Sequence, residues 1–213
     1  MMSSCGSTAR ADKCPYELWD EETLFEGRWL CTKQIKFRTA KGGEGVWQSA
    51  HRPFKRPDQD CHGVMCIAVL KKDGKKYYIL IKQYRIPVRA FCLEFPAGLV
   101  DEGETAEQSA VRELKEETGY TATRVLHKSE GGQAMDPAVS DNKGQYVAVE
   151  VDGDADVNKT PDQRLESDED IEVILVECEK LLEYVQQVPK DVHVNADVYT
   201  YALGAHMART MSI

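Results

Sequence analysis

Apolar positions along this chain follow two rhythms. Gly63–Leu70 and Lys76–Tyr84 are near-continuous apolar runs of strand length joined by a turn through Asp73-Gly74, which predicts a β-hairpin with a largely buried face. A third short run, Phe91–Phe95, ends in Pro96-Ala97-Gly98, and further strands are predicted near Thr123–His127, Gln145–Val151 and Ile171–Val176. Helical spacing takes over between them. Ala106, Ala110, Val111 and Leu114 recur on one face, Thr105 with Gln108 forms a capping box, and Gly119 can take the left-handed conformation that ends a helix, so the spacing predicts a helix over 105–118. Two more helices are expected at Glu179–Val188 and Asn195–Ala208. Upstream, the short strands Trp29–Cys31, Gln34–Phe37 and Val46–Ser49, broken by the glycine turn Lys41–Gly45, read as a small β lobe.

The same pattern suggests an organisation. Residues 1–15 have no periodic apolar face and read as a frayed, disordered tail, the β lobe occupies 16–56, and the main domain 57–213. The boundary is placed in the polar, proline-marked stretch Pro53, Lys55, Arg56, Pro57 and Asp58. Asp152–Asp170, acidic and containing Pro161, reads as an exposed loop. No internal repeat is visible.

Composition narrows the function classes. With 213 residues, 42% of them apolar and 30% charged, the chain is ordinary globular material rather than disordered or membrane-spanning. It carries 27 Lys and Arg against 36 Asp and Glu, a net charge of -9, the wrong sign for holding nucleic acid by phosphate neutralisation. No stretch approaches the roughly 18 apolar residues of a membrane span, and the opening residues do not resemble a signal peptide. The seven cysteines are odd in number and never in a C-x-x-C pair, which fits free thiols in a reducing compartment, the cytoplasm with the nucleus open by diffusion. An acidic chain does suit a site that collects divalent cations, provided the carboxylates cluster.

They do so between Gly98 and Tyr120. On a helix, Glu113, Glu116 and Glu117 fall within one arc, opposite Ala110 and Leu114. Like charges at this spacing destabilise a helix by a few tenths of a kcal/mol per pair unless a positive partner sits among them. Magnesium or manganese is such a partner, because it takes oxygen from one or two carboxylates and bridges substrate phosphates.

The full string, Gly98, Glu104, Arg112-Glu113-Leu114, Glu116-Glu117 and Gly119-Tyr120, fits G-x5-E-x7-R-E-U-x-E-E-x-G-U with U apolar. It resembles the Nudix box, and the chain resembles the Nudix hydrolases. Lys82–Arg85, Leu93–Gly98, Met135-Asp136-Pro137 and Glu169–Val173 are similar to the ADP-ribose pyrophosphatase branch, and the likeness runs from about Leu24 to Ala208.

The resemblance implies an α/β fold, a Nudix α/β/α sandwich around a mixed sheet, with a small N-terminal antiparallel β lobe that is exchanged in a homodimer. It implies Mg2+-dependent hydrolysis of ADP-ribose to AMP and ribose 5-phosphate, with Mn2+ able to substitute. Oxidised guanine nucleoside diphosphates or other nucleotide sugars are the alternative substrates, and a non-catalytic ADP-ribose-binding module is a further one. By resemblance, Glu113 and Glu117 hold the metal with the carbonyl of Ala97, Glu94 helps to hold metals or their waters, and Glu116 lies close by. Arg112 and Glu104 brace the ligands. The catalytic base is Glu169, with Glu166 and Asp168 on the same loop. Arg85 and Arg52 are expected on the diphosphate, Trp29 of one chain and Trp47 of the other around the adenine, with Gln48, Met135 and Asp136 nearby in the pocket. The five histidines never reach metal-ligand spacing and are expected to fill ordinary roles.

Overall fold

The computed structural model describes residues 13–53 and 60–211. Most of the expected tail, and the boundary residues Lys55, Arg56, Pro57 and Asp58, lie outside the described residues. Contacts divide the chain into two units, the first comprising 13–53 with the later segment Met135–Asn142, the second the remainder.

The first unit is a three-stranded antiparallel sheet in the order β1 (Tyr16–Glu26), β2 (Cys31–Thr39), β3 (Glu44–His51). β1 has no counterpart in the hydrophobic pattern. Its register shifts between Trp19 and Glu22, beside Asp20 at φ 50°, so the alternation of faces is broken midway. Charge pairing reinforces the ladder instead: Glu17, Asp20 and Glu21 lie 2.9, 2.9 and 2.6 Å from Arg38, Lys36 and Lys33 of β2. The sequence-predicted strand at Trp29–Cys31 is corrected to a turn, closed by Gly27 N–H donating to the Leu30 carbonyl, with β2 starting at Cys31.

The second unit is an α/β/α sandwich. In chain order it comprises β4 (Gly63–Lys72), β5 (Lys75–Arg85), β6 (Ala90–Glu94), β7 (Ala97–Leu99), α1 (Ala106–Thr118), β8 (Arg124–Lys128), β9 (Gln133–Ala134), β10 (Lys143–Asp152), α2 (Asp156–Lys159), β11 (Ile171–Glu177), α3 (Leu181–Gln187), β12 (Val192–Val194) and α4 (Ala196–Thr210). The sheet runs β12-β6-β5-β4-β10-β8, with β11 also along β5, β7 on β4 and β9 on β10. It is mixed, since β4 pairs with β10, and β6 with β12, in parallel. Alternation within the strands separates two cores. Val64, Cys66, Ala68 and Leu70 of β4, with Val147, Val149 and Val151 of β10, meet Ala106, Ala110 and Leu114 of α1. On the other face Ile67, Leu80, Leu93 and Val176 meet Leu181, Val185, Val198 and Ala202 of α3 and α4. Burying Leu114 completely contributes about 2 kcal/mol and fixes which side of α1 faces away from the core.

Local signals hold where they are strongest. The capping box is formed in both directions, Thr105 Oγ1 accepting from Gln108 N–H and Gln108 Oε1 from Thr105 N–H, and Gly119 ends the helix at φ 75°. Asp73 and Gly74 both take positive φ in a two-residue turn. The expected exposed loop 152–170 differs: it contains α2, and Asn158 is buried, with Oδ1 accepting from Thr121 N–H and Nδ2 donating to the carbonyls of Thr121 and Asp152.

Candidate active site

The sandwich places the acidic side of α1 against β7. Glu117 is 2% exposed and its carboxylate accepts the Ala97 N–H at 2.9 Å. Glu113 packs onto the backbone of Gly98 so closely that a methyl group there would lie 1.9 Å from its Oε1. Only glycine leaves that space. Glu116, the third member of the arc, is more exposed.

Arg112 organises the group. Its guanidinium donates to Glu104 through Nε and Nη2 (3.0 Å each), to Glu113 and Glu116 through Nη1 (2.8 and 3.0 Å), and to the Leu99 carbonyl through Nη2 (3.1 Å). Arg112 and a bond from Ser109 hold the Glu104 carboxyl below the usual carboxylate range. On the two inner acids burial dominates, and the shift is opposite to that of Glu104. Burial pushes Glu113 upward despite Arg112, helped by the charges of Glu116 and Glu169, and pushes Glu117 up to about 9, helped by Glu113 and Glu169. Glu169 thus lies near enough to both to repel them. Its Oε2 accepts the Glu166 N–H at 2.8 Å, while its own N–H donates to the Glu166 carbonyl.

Glu94 is buried at the end of β6, where its Oε2 accepts from Gln83 (3.1 Å) and from both Nε and Nη2 of Arg85 (2.9 and 2.8 Å). The expected metal helper and the expected diphosphate arginine are therefore paired with each other. Each inner acid is tied to a protein donor, and among the described residues no three or more His, Cys, Asp or Glu side chains are arranged as a ready-made metal site. The donor chemistry nonetheless suits Mg2+: carboxylate oxygens are what a hard cation takes, and binding one would release the protons that burial favours on Glu113 and Glu117.

The remaining expected residues belong to the first unit. Trp47 and Trp29 expose 48% and 53% of their surfaces. Trp47 Nε1 donates to the Ala138 carbonyl (3.2 Å), the Arg28 guanidinium lies 4.7 Å over the Trp29 ring, and Arg52 Nη1 donates to the Trp29 carbonyl (3.2 Å). Gln48 reaches Gln34 at 3.5 Å. Met135 N–H donates to the Asn142 carbonyl, and the Asp136 carbonyl caps a turn by accepting from Val139 and Ser140.

Sequence reasoning missed Gln163. Its Nε2 donates to the Glu117 carbonyl (2.6 Å) and the Ile171 carbonyl (3.0 Å), stitching the Glu169 loop to the end of α1. A single side chain bonding to backbone leaves no periodic trace, so only the loop's length pointed toward it.

A NUDIX domain model matches residues 61–200. The chain belongs to the Nudix family. It is 46% identical over 92% of its length, and 87% of the relative's, to the putative nudix hydrolase 2 of Caenorhabditis elegans. It is 37% identical to the ADP-ribose pyrophosphatase of Saccharomyces cerevisiae, over 87% of this chain and 80% of that one. A crystal structure of an ADP compounds hydrolase superposes with a TM-score of 0.65, covering 95% of this chain and 98% of that chain at 21% identity, and so shares the Nudix fold.

Gly98→Ala tests the Nudix geometry without replacing a carboxylate. The new methyl must displace the Glu113 side chain, which is movable, so we expect hydrolytic activity to fall about tenfold or more while Tm changes little. Unchanged activity in a rate assay would show that Glu113 is not needed where it sits.

Proposed function

We propose that this Nudix hydrolase cleaves the diphosphate bond of ADP-ribose, releasing AMP and ribose 5-phosphate with Mg2+ as the required ion. The observation that carries the reading is the pairing of Glu113 and Glu117 on the backbone of Gly98 and Ala97, with the charge of Glu169 felt by both. The name of the yeast relative supports the substrate class.

Glu113 and Glu117, with the Ala97 carbonyl, would hold the ion, which Mn2+ could replace. Bound there, it would neutralise the diphosphate oxygens and lower the pKa of a coordinated water. Arg112 keeps Glu113 and Glu116 from drifting by holding both from one nitrogen. Glu169 accepts the proton of the attacking water, its carboxylate held by the backbone N–H of Glu166. Arg85 is assigned to the substrate phosphates, with Glu94 orienting its guanidinium fork. Base recognition is assigned to Trp29 and Trp47, whose exposed rings can stack on a purine. The same reading carries a homodimer, with each tryptophan of a pair from a different chain, and a cytoplasmic location.

Steady-state kinetics decide the substrate. With Mg2+, kcat/KM for ADP-ribose should exceed that for 8-oxo-dGDP by about tenfold or more. The reverse order would make the protein a nucleoside diphosphate sanitiser using the same carboxylates.

A further inference from the structure

The first unit contains a series of close polar contacts, one of them a hydrogen bond, that the hydrolytic site does not use. Ser49 Oγ lies 2.7 Å from His51 Nε2, and His51 Nδ1 lies 3.0 Å from Asp141 Oδ2. His51 Nδ1 and both Asp141 oxygens are sealed from solvent. The order Ser, His, Asp is that of a nucleophilic triad, but the surroundings are wrong for one. β3 alternates its amides, so with Ala50 N–H directed outward to the Val139 carbonyl, those of Ser49 and His51 point inward to β2. The amides of Ser49 and His51 are therefore spent on the ladder rather than offered to an oxyanion.

What the series does join is β3 to the segment Met135–Asn142. That segment runs along the outer edge of β3 as a one-residue parallel bridge, Ala50 to Ser140. Ala50 N–H donates to the Val139 carbonyl at 2.8 Å, and Asp141 N–H approaches the Ala50 carbonyl at 3.4 Å. Two backbone bonds are a weak seam for an edge strand. The His51–Asp141 contact adds a side-chain fastening, and a carboxylate whose oxygens are sealed from solvent holds such a partner firmly because separation would leave it desolvated. The carbonyl that anchors Trp47 belongs to Ala138, the residue before the seam. Trp47 is half exposed, and the Ala138 bond and the edge of Phe37, 6.2 Å away between centroids, help to hold its ring.

We propose that His51 and Asp141, with Ser49 fixing the imidazole, form a latch that positions Trp47 for base recognition. The proposal rests on the reading of Trp47 as a base-stacking residue. His51 and Asp141 are positioning residues: they need touch no substrate.

The test is steady-state kinetics on ADP-ribose with Mg2+ for the full chain and for Trp47→Ala, His51→Ala, His51→Asn and Asp141→Ala. His51→Ala and Asp141→Ala should raise KM about fivefold, the effect of a loosened stacking partner, with kcat held within about twofold. His51→Asn, whose amide can donate from the place of Nδ1, should recover most of the loss, and it keeps the proposal testable if His51→Ala does not fold. If Trp47→Ala raises KM while His51→Ala and Asp141→Ala do not, the latch is wrong and the stacking reading stands. If Trp47→Ala leaves KM unchanged, both fall. A loss of kcat in His51→Ala equal to the rise in KM, without rescue by His51→Asn, would reduce the contact to a structural tie and overturn the proposal.

Discussion

Glu113→Gln is expected to lower the rate of AMP release from ADP-ribose at least about a hundredfold while leaving the fold intact. A hundredfold is about 2.7 kcal/mol of barrier, within the several kcal/mol that charge neutralisation at a phosphoryl oxygen supplies. The fold should survive because Glu113 is a poor contributor to stability: burial already drives its carboxyl toward the protonated form, and glutamine has nearly the same shape without the charge. Arg112 keeps Glu104 and Glu116 as partners after the change. Thermal unfolding with and without Mg2+ gives the second readout. The ion should raise Tm of the parent more than that of Glu113→Gln, since a ligand stabilises only the state that binds it. Equal Mg2+ increments together with a normal rate would remove Glu113 from the metal site.

The largest expected effect on stability lies at Gly119. At φ 75° an alanine meets the left-handed penalty of about 1–2 kcal/mol, and its methyl would sit 2.3 Å from Asp162 N and 2.7 Å from Pro161 C. These are backbone atoms, so the 161–170 loop must shift, adding an overpacking cost of about 1–3 kcal/mol. Together, roughly 3 kcal/mol corresponds to a fall of about 6–12 °C in Tm for a chain of this size. Gly74→Ala is the control: its φ is 72°, but nothing lies within 4 Å of the added methyl, so it should suffer the conformational penalty alone. Activity should fall as well in Gly119→Ala, because the displaced loop carries Glu169 and the Gln163 bonds to Glu117 and Ile171. Equal Tm losses in the two variants would mean that the loop does not rest on the helix end.

The contrast between these glycines shows what a sequence can and cannot display. Helix α1 was legible in every respect that depends on local periodicity: the capping box, the apolar face at Ala110 and Leu114, the acidic face opposite and the terminal glycine. The strands buried against it were legible for the same reason. β1 was not, because a register shift beside Asp20 interrupts its alternation and its pairing with β2 is carried partly by charge. Trp29 looked like a strand residue, yet Gly27 closes a turn around it. At the site, the motif named Glu113 and Glu117 but could not show that Arg85 would pair with Glu94, since that contact joins β5 to β6 across the sheet. Asn158, Gln163 and the His51–Asp141 contact fasten backbone or distant segments through single side chains, which leave no repeat to read.

The account depends most on the chemistry assigned to the acidic face of α1 and the loop acid Glu169. Product analysis of ADP-ribose incubated with the unmodified chain, with and without Mg2+, tests it directly. AMP and ribose 5-phosphate formed in equal amounts, only when the ion is present and far more slowly by Glu169→Gln, is the predicted result. No AMP at saturating ADP-ribose and Mg2+, or AMP formed equally well by Glu169→Gln, would contradict it.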